Sequence, residues 1–154
     1  MGELAEGVAR AALARIAETG VERARVGLEL LAVAVEEQAR ITAHNGEHAY
    51  GTPTPARPGE GPAKISGTLL ASIGHNEITP SPGGWSTRVG PRTGYTPPYG
   101  GRRRTSAHRY GYYLETGDHG ITYPWLKPAG DRSAKTAALL FAKVFNETGW
   151  TTGG

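Results

Sequence analysis

The stretch from Arg109 to Ala129, RYGYYLETGDHGITYPWLKPA, combines four of the seven tyrosines of the chain with two prolines and three glycines. Tyr110, Tyr113 and Leu114 are spaced i, i+3, i+4, which places their side chains on one face of a short helix. Gly117 is predicted to end that helix, because glycine adopts positive φ angles without steric cost.

Beyond Gly117, the stretch predicts an extended segment and then the last helix of the chain. Tyr123 stands before Pro124 and is therefore disfavoured in the α conformation. Pro128 has a φ angle suited to a first helical turn, so we expect a helix from about Pro128 to Glu147. The predicted buried stripe of this helix consists of Ala134, Ala137, Phe141, Val144 and Phe145.

A series of short motifs runs along the second half of the chain. Tyr-x-x-Tyr-Leu-Glu-x-Gly at 110–117 is followed by Tyr-Pro-Trp-Leu-x-Pro-Ala at 123–129, and Ser-Gly-Thr-Leu-Leu-Ala-Ser-Ile at 66–73 and Val-Gly-Pro at 89–91 precede them. The series resembles the tail-completion (neck, or head–tail connector) proteins of long-tailed bacteriophages. The matching residues are Gly67, Leu69, Ser72, Ile73, Val89, Gly90, Tyr110, Tyr113, Leu114, Glu115, Gly117, Pro124, Trp125, Leu126, Pro128 and Ala129.

The resemblance implies a structural virion protein rather than an enzyme, with no cofactor. Copies of such a protein form a ring, with sixfold symmetry expected, around the channel through which DNA passes between head and tail. Its implied partners are further copies of itself, the neighbouring neck and tail proteins and, non-specifically, the DNA. Its implied location is the virion neck or tail, after assembly in the host cytoplasm.

Charge is segregated along the chain, although the formal net charge is only +3. Residues 1–50 carry five arginines and eight glutamates (−3), whereas residues 51–110 carry eight lysines or arginines and two glutamates (+6). Such segregation favours head-to-tail contact between copies, or contact with an anion. The absence of cysteine excludes disulfides and predicts an intracellular origin. We expect no membrane contact, because no apolar run approaches the roughly 20 residues that span a bilayer.

Residues 1–48 are predicted to be a helical region. Leu4, Val8, Ala11, Ala12 and Ile16 form an apolar stripe, which resumes after Val21 and continues to about Thr42 or His44. Gly20 is compatible with either a kink or a break. A helix this long and apolar requires a partner surface along most of its length.

The 154 residues predict a single α+β domain: a long N-terminal helical region, a small antiparallel sheet with a short helix, and a C-terminal helix packed on the sheet. Residues 49–63 are expected to form an irregular connection, residues 64–149 the α+β body, and residues 150–154 a loose tail. Within the body we expect a helical turn at 67–71 and two strands, 72–79 and 85–90, joined by a turn at 80–84.

Residues 91–107 lack any apolar periodicity and are predicted to be a long arm, of the kind that is usually functional or disordered. Because it is basic and aromatic, the arm is expected to contact a neighbouring subunit, or alternatively to grip nucleic acid in the channel or to remain a solvated loop. The residues proposed for these contacts are Tyr95, Tyr99, Arg102, Arg103 and Arg104, with Glu29, Glu36 and Glu37 as acidic partners.

Other constellations receive structural interpretations. His44 and His48 flank Glu47 at a spacing found in metal sites, but Asn45 and Gly46 should end the helix there, so a solvated helix end is expected. Glu115 and Asp118 could form a carboxylate pair for hydrolysis, and Asp118 and His119 could belong to a catalytic triad. No motif around these residues supports catalysis. We expect Glu115 to accept hydrogen bonds within the fold instead.

Overall fold

A computed structural model describes residues 2–46, 56–62, 67–95, 106–117 and 120–147. Within these ranges the helices are α1 (Gly2–Thr42), α2 (Thr68–Ser72), α3 (Ala107–Thr116) and α4 (Leu126–Glu147). The strands are β1 (Ile73–His75), β2 (Thr79–Ser81), β3 (Gly84–Ser86) and β4 (Val89–Pro91). The predicted α+β class is confirmed, with a long N-terminal helix, a small antiparallel β region and a C-terminal helix.

The N-terminal region is one uninterrupted helix of 41 residues, about 60 Å long at 1.5 Å per residue. It passes through Gly20 without a break, and no described residue outside the adjacent turns of α1 has an atom within 4 Å of the position that a Cβ would occupy there. The predicted C-terminal limit at Thr42 is confirmed. The hydroxyl of Thr42 lies 2.5 Å from the carbonyl oxygen of Trp125 and 2.9 Å from that of Gln38, and a hydrogen bond donated to Trp125 fastens this end of α1 to the start of α4.

Helix α4 packs mainly along α1, antiparallel to it, rather than on the sheet as expected. The end of α1 at Thr42 lies beside Trp125, while Gly27 lies beside Phe141 farther along α4. A methyl group at Gly27 would lie 2.6 Å from the Phe141 ring, so glycine permits the two helices to approach closely here. The stripe of α4 defines which face is buried but does not specify the surface that covers it.

The buried stripe of α4 agrees with the predicted one at Val144, which is buried, and at Ala137, Phe141 and Phe145, which are half-buried, and it differs at its N-terminal end. Ala129, Ser133 and Val144 are buried, whereas Ala134 is exposed. The prediction started the helix near Pro128 and overlooked Ala129 and Ser133, because a serine was not counted as part of an apolar stripe. Small residues at 129 and 133 fit the close approach to α1, and this explains why the contact follows them.

The β region is a hairpin whose register shifts by one residue in the middle. β1 pairs antiparallel with β4, with Gly74 opposite Gly90, and β2 pairs antiparallel with β3, with Pro80 opposite Trp85. Three residues separate β1 from β2 but only two separate β3 from β4, so the register shifts by one residue. The two long strands predicted for this region are therefore each interrupted, and a one-residue shift exchanges the faces of a strand.

The core is centred on Trp125, whose side chain is 1% exposed. Its indole N–H donates to the carbonyl oxygen of Gly111 in α3 at 3.0 Å. The buried residues packed together are Ala39, Ala43, Leu69, Ile73, Trp125 and Ala129, and Leu70, Leu114 and Leu126 flank them. The stretch from Arg109 to Ala129 therefore supplies the centre of the core.

Candidate subunit interface

Glu115 holds the junction between α3 and α4. One carboxylate oxygen accepts hydrogen bonds from the backbone N–H groups of Trp125 and Leu126, and the other accepts from that of Lys127, all at 2.8 Å. The first N–H groups of a helix have no partner within it, so Glu115 caps the N-terminus of α4 from a distance. The structural role expected for Glu115 is confirmed, whereas Asp118 and His119 lie outside the described residues.

Helix α3 begins and ends at recognisable signals. The Ser106 hydroxyl accepts a hydrogen bond from the N–H of Arg109 at 3.3 Å, as an N-cap does. Gly117 follows the last helical residue with φ of 87°, and its N–H donates to the carbonyl of Tyr113 at 2.9 Å. The predicted end of this helix at Gly117 is confirmed.

The motif residues meet around the core. Leu69 and Ile73 pack with Trp125, and Val89 and Gly90 form the strand that pairs with β1. Gly67 precedes α2 with φ of 74°, a conformation that favours glycine. These residues stabilise the fold, so candidate binding sites lie on the outer surfaces of the helices.

Sequence reasoning missed Gly111. A methyl group on this residue would lie about 3 Å from the side chains of Pro91, Leu69 and Trp125, so only glycine lets α3 lie this close to the core. A glycine in the middle of an aromatic helix was the available signal, because it lowers helix propensity without another local reason.

Glu36 was predicted to be an acidic partner for another subunit, but the structure contradicts this prediction because Glu36 is buried. Its carboxylate is buried and accepts hydrogen bonds from the guanidinium of Arg40 at 2.9 Å and from Nδ1 of His75. Arg40 also donates to the carbonyl oxygen of Ile73 at 2.9 Å, so the cluster joins α1 to β1. No sequence pattern indicated His75, since it lies 39 residues from Glu36.

The environment of Glu36 determines its charge. Burial raises the pKa of its carboxyl group, but the hydrogen bonds and positive charges of His75 and Arg40 outweigh burial and leave the pKa below its ordinary value. Glu36 therefore remains ionised at neutral pH and serves to connect α1 with the β region.

The first half of α1 projects away from the body. All side chains from Arg10 to Thr19 are exposed, and Val8, at 70%, is also exposed. The described members of the apolar stripe predicted for this region, Val8, Ala11, Ala12 and Ile16, therefore have no cover among the described residues. Below, the segment at residues 2–20 is called the α1 arm.

A second exposed surface lies on α3. Tyr112 is largely exposed, Tyr110 and Tyr113 are partly so, and the Tyr112 and Tyr113 rings meet edge to face at 6.1 Å. Arg109 lies 5.6 Å from the centre of the Tyr113 ring and donates a hydrogen bond to its hydroxyl at 3.0 Å. Tyrosine and arginine are enriched at the centres of protein interfaces, so this face is suited to a macromolecular contact.

The predicted basic arm is only partly described. Tyr95 is half-buried and its N–H donates to the carbonyl oxygen of Arg92 at 3.3 Å, within a turn that follows β4. Glu29 and Glu37 are exposed on α1, as their proposed role requires. Tyr99, Arg102, Arg103 and Arg104 lie outside the described residues, so their contacts stay predictions.

A polar groove of about 450 Å³ lies between the end of α1, residues 57–61 and the first turns of α4. Two arginines line it, Arg57 and Arg132, together with Glu60 and two prolines. The groove is open to solvent and carries charges of both signs, so it does not define a ligand.

Comparisons with protein-family models, with curated proteins and with solved structures find no match. Among the described helices, none has the combination of length and apolar character that crossing a membrane requires. The described ranges also contain no group of three or more side chains placed to hold a metal ion. His44 is exposed at the end of α1, while Glu47 and His48 lie outside these ranges.

Proposed function

We propose that the protein is a structural component of a tailed-phage virion whose copies associate into a ring in the neck or at the head-proximal end of the tail. The observation that carries this proposal is the α1 arm. It is helical, and its described side chains, among them the apolar Val8, Leu13 and Ile16, are exposed.

An uncovered helix of this composition is unfavourable in water. In proteins most of the stability of a helix comes from packing of its apolar face rather than from helix propensity, and each interior glycine costs about 1 kcal/mol relative to alanine. The arm includes Gly7 and Gly20 and exposes Val8, Leu13 and Ile16. Contact with another protein molecule stabilises such a segment by removing its apolar stripe from water.

The motif series supports the assignment to the phage neck. Most of its residues build the core and the α3–α4 junction, which are the positions that a shared fold constrains, while Tyr110 and Tyr113 are partly exposed on α3. The proposed role is assembly rather than catalysis, with further copies of the chain and the adjacent neck and tail proteins as partners. DNA passes through the proposed central channel, and a nucleic-acid-binding module that uses the basic arm stays the alternative prediction.

Gold-labelled antibodies against this chain, applied to intact virions of the phage that encodes it, test the proposal. Label at the head–tail junction is expected. Virions that carry no gold label, or label along the tail shaft or over the head, would contradict the proposed function.

A further inference from the structure

Two rows of exposed side chains on α1 and α4 have matching spacing and opposite charge. On α1 the row is Glu29, Val33 and Glu37, and on α4 it is Lys135, Leu139 and Lys143. Members of each row are four residues apart, so they lie on one side of their helix at steps of about 6 Å. We call these the acidic row and the basic row.

The rows lie on the solvent sides of their helices. Leu139 is 71% exposed and Val33 49% exposed, and the four charged side chains are exposed as well. The buried sides are different ones, with Ala32 and Ala39 on α1 and Ser133 and Val144 on α4. The inner sides of α1 and α4 contact each other, and both rows are exposed outside that contact.

We propose that the basic row of one copy binds the acidic row of the next copy. Leu139 would pack against Val33, while each lysine lies beside a glutamate of the neighbour. Because each row is symmetric about its apolar residue, the charges match whether the two helices run parallel or antiparallel. Within its own chain Glu29 lies 3.9 Å from Arg25, a distance that leaves its carboxylate able to accept another partner.

The signs of the charges exclude contact between identical rows. Two acidic rows repel each other, as do two basic rows, so a row cannot pair with its own counterpart across a twofold axis. In the proposed ring each copy uses its two rows on two different neighbours, head to tail. This inference rests on the proposed function for the closure of such a chain of copies into a ring.

The contact is expected to specify the neighbour and to speed association more than to supply most of the affinity. Exposed ion pairs are screened by salt and contribute little to final stability, but they steer encounter and reject wrong orientations. The α1 arm is available to add the remaining apolar area. Assembly should consequently slow as salt is raised.

Charge reversal tests the two rows separately. Variant K135E/K143E makes both rows of a chain acidic, and variant E29K/E37K makes both basic. Each variant alone should self-associate at least about tenfold more weakly than the parent chain. An equimolar mixture should recover assembly, because the acidified α4 of one variant then faces the basic α1 of the other. Analytical ultracentrifugation at low salt measures this.

Matched controls reverse the same number of exposed charges away from both rows. R57E/R88E is the control for the lysine variant, and E60K/E77K is the control for the glutamate variant. Both controls should assemble as the parent does, and circular dichroism should show the helical content of the parent in all four proteins.

The outcomes separate this inference from the proposed function. Normal assembly of either row variant alone, or failure of the mixture to assemble, overturns the pairing of the rows and leaves the proposed ring intact. Assembly that follows the predicted pattern, in a protein that virion labelling does not place at the neck, supports the rows and contradicts the proposed function. A parent chain that stays monomeric at every concentration overturns both.

Discussion

At the scale of single residues, Glu115 illustrates how the fold depends on a contact between neighbouring elements. Its two carboxylate oxygens accept three backbone hydrogen bonds at the start of α4, while its own backbone belongs to α3. The side chain therefore sets the position of α4 relative to α3. The Leu-Glu-x-Gly portion of the motif combines this cap with the glycine that ends α3.

Glu115→Ala should lower the free energy of unfolding by about 1–2 kcal/mol, because three N–H groups lose a charged acceptor. Glu115→Gln should cost less, since it keeps one acceptor oxygen in place. Urea denaturation of the three proteins under conditions where they are monomeric measures the differences. An alanine variant within about 0.5 kcal/mol of the parent would show that the cap is unimportant.

Glu36 predicts how stability depends on pH. Burial raises the pKa of its carboxyl group, but His75 and Arg40 together lower the pKa by more than burial raises it. The folded-state pKa therefore lies below the ordinary value of 4.5. A depressed carboxyl pKa means that the unfolded chain binds the proton more readily. The contribution of Glu36 is therefore present above about pH 4.5 and is lost as the pH falls through the folded-state pKa.

Glu36→Gln should be less stable than the parent at pH 7, and its stability should fall less steeply between pH 5 and pH 3. Glu37→Gln is the matched control, because Glu37 is the adjacent residue and is exposed. Urea denaturation across this pH range gives the slopes. Equal slopes for the parent and Glu36→Gln would contradict the ionised, hydrogen-bonded state of Glu36.

At the scale of elements, two of the glycines of α1, Gly20 and Gly27, lie in opposite surroundings. Gly27 faces Phe141 of α4, where a methyl group would lie 2.6 Å from the ring, whereas Gly20 has open space around it. Gly27→Ala should destabilise the protein by about 1–3 kcal/mol through overpacking, despite a gain in helix propensity.

Gly20→Ala should stabilise the protein by about 0.5–1 kcal/mol, because alanine has the higher helix propensity. Thermal unfolding compares the two variants, and equal effects would contradict the close packing of α1 on α4.

Local sequence patterns predicted the elements better than their partners. The ends of α1 and α3, and the alternation of half-buried Trp85, Thr87 and Val89, follow from glycine positions and periodicity. The packing of α4 on α1 did not follow, because a stripe identifies a buried face without identifying its cover. The Glu36–His75 contact and the register shift in the hairpin depend on residues distant in sequence, and no local pattern reports such contacts.

At the scale of the whole molecule, the fold places its core at one end of a long helix. Residues near Trp125 join the last turns of α1 with α2, α3 and α4, and the α1 arm extends beyond this body. A molecule with a projecting helix that exposes Val8, Leu13 and Ile16 and with two oppositely charged rows is suited to head-to-tail association. The ring that we propose would use this type of association, because a ring of identical copies has two different faces at each contact.

The location of the chain in the virion is the most direct test of the account. Virions, isolated heads and isolated tails are labelled with gold-tagged antibodies raised against this chain and imaged by electron microscopy. We predict label at the junction of head and tail in virions. Among isolated heads and tails, we predict label only on the part that keeps the ring, and only at the end where it joined the other part. Label distributed over the head or along the tail shaft, or virions that carry none of the chain, would contradict the account.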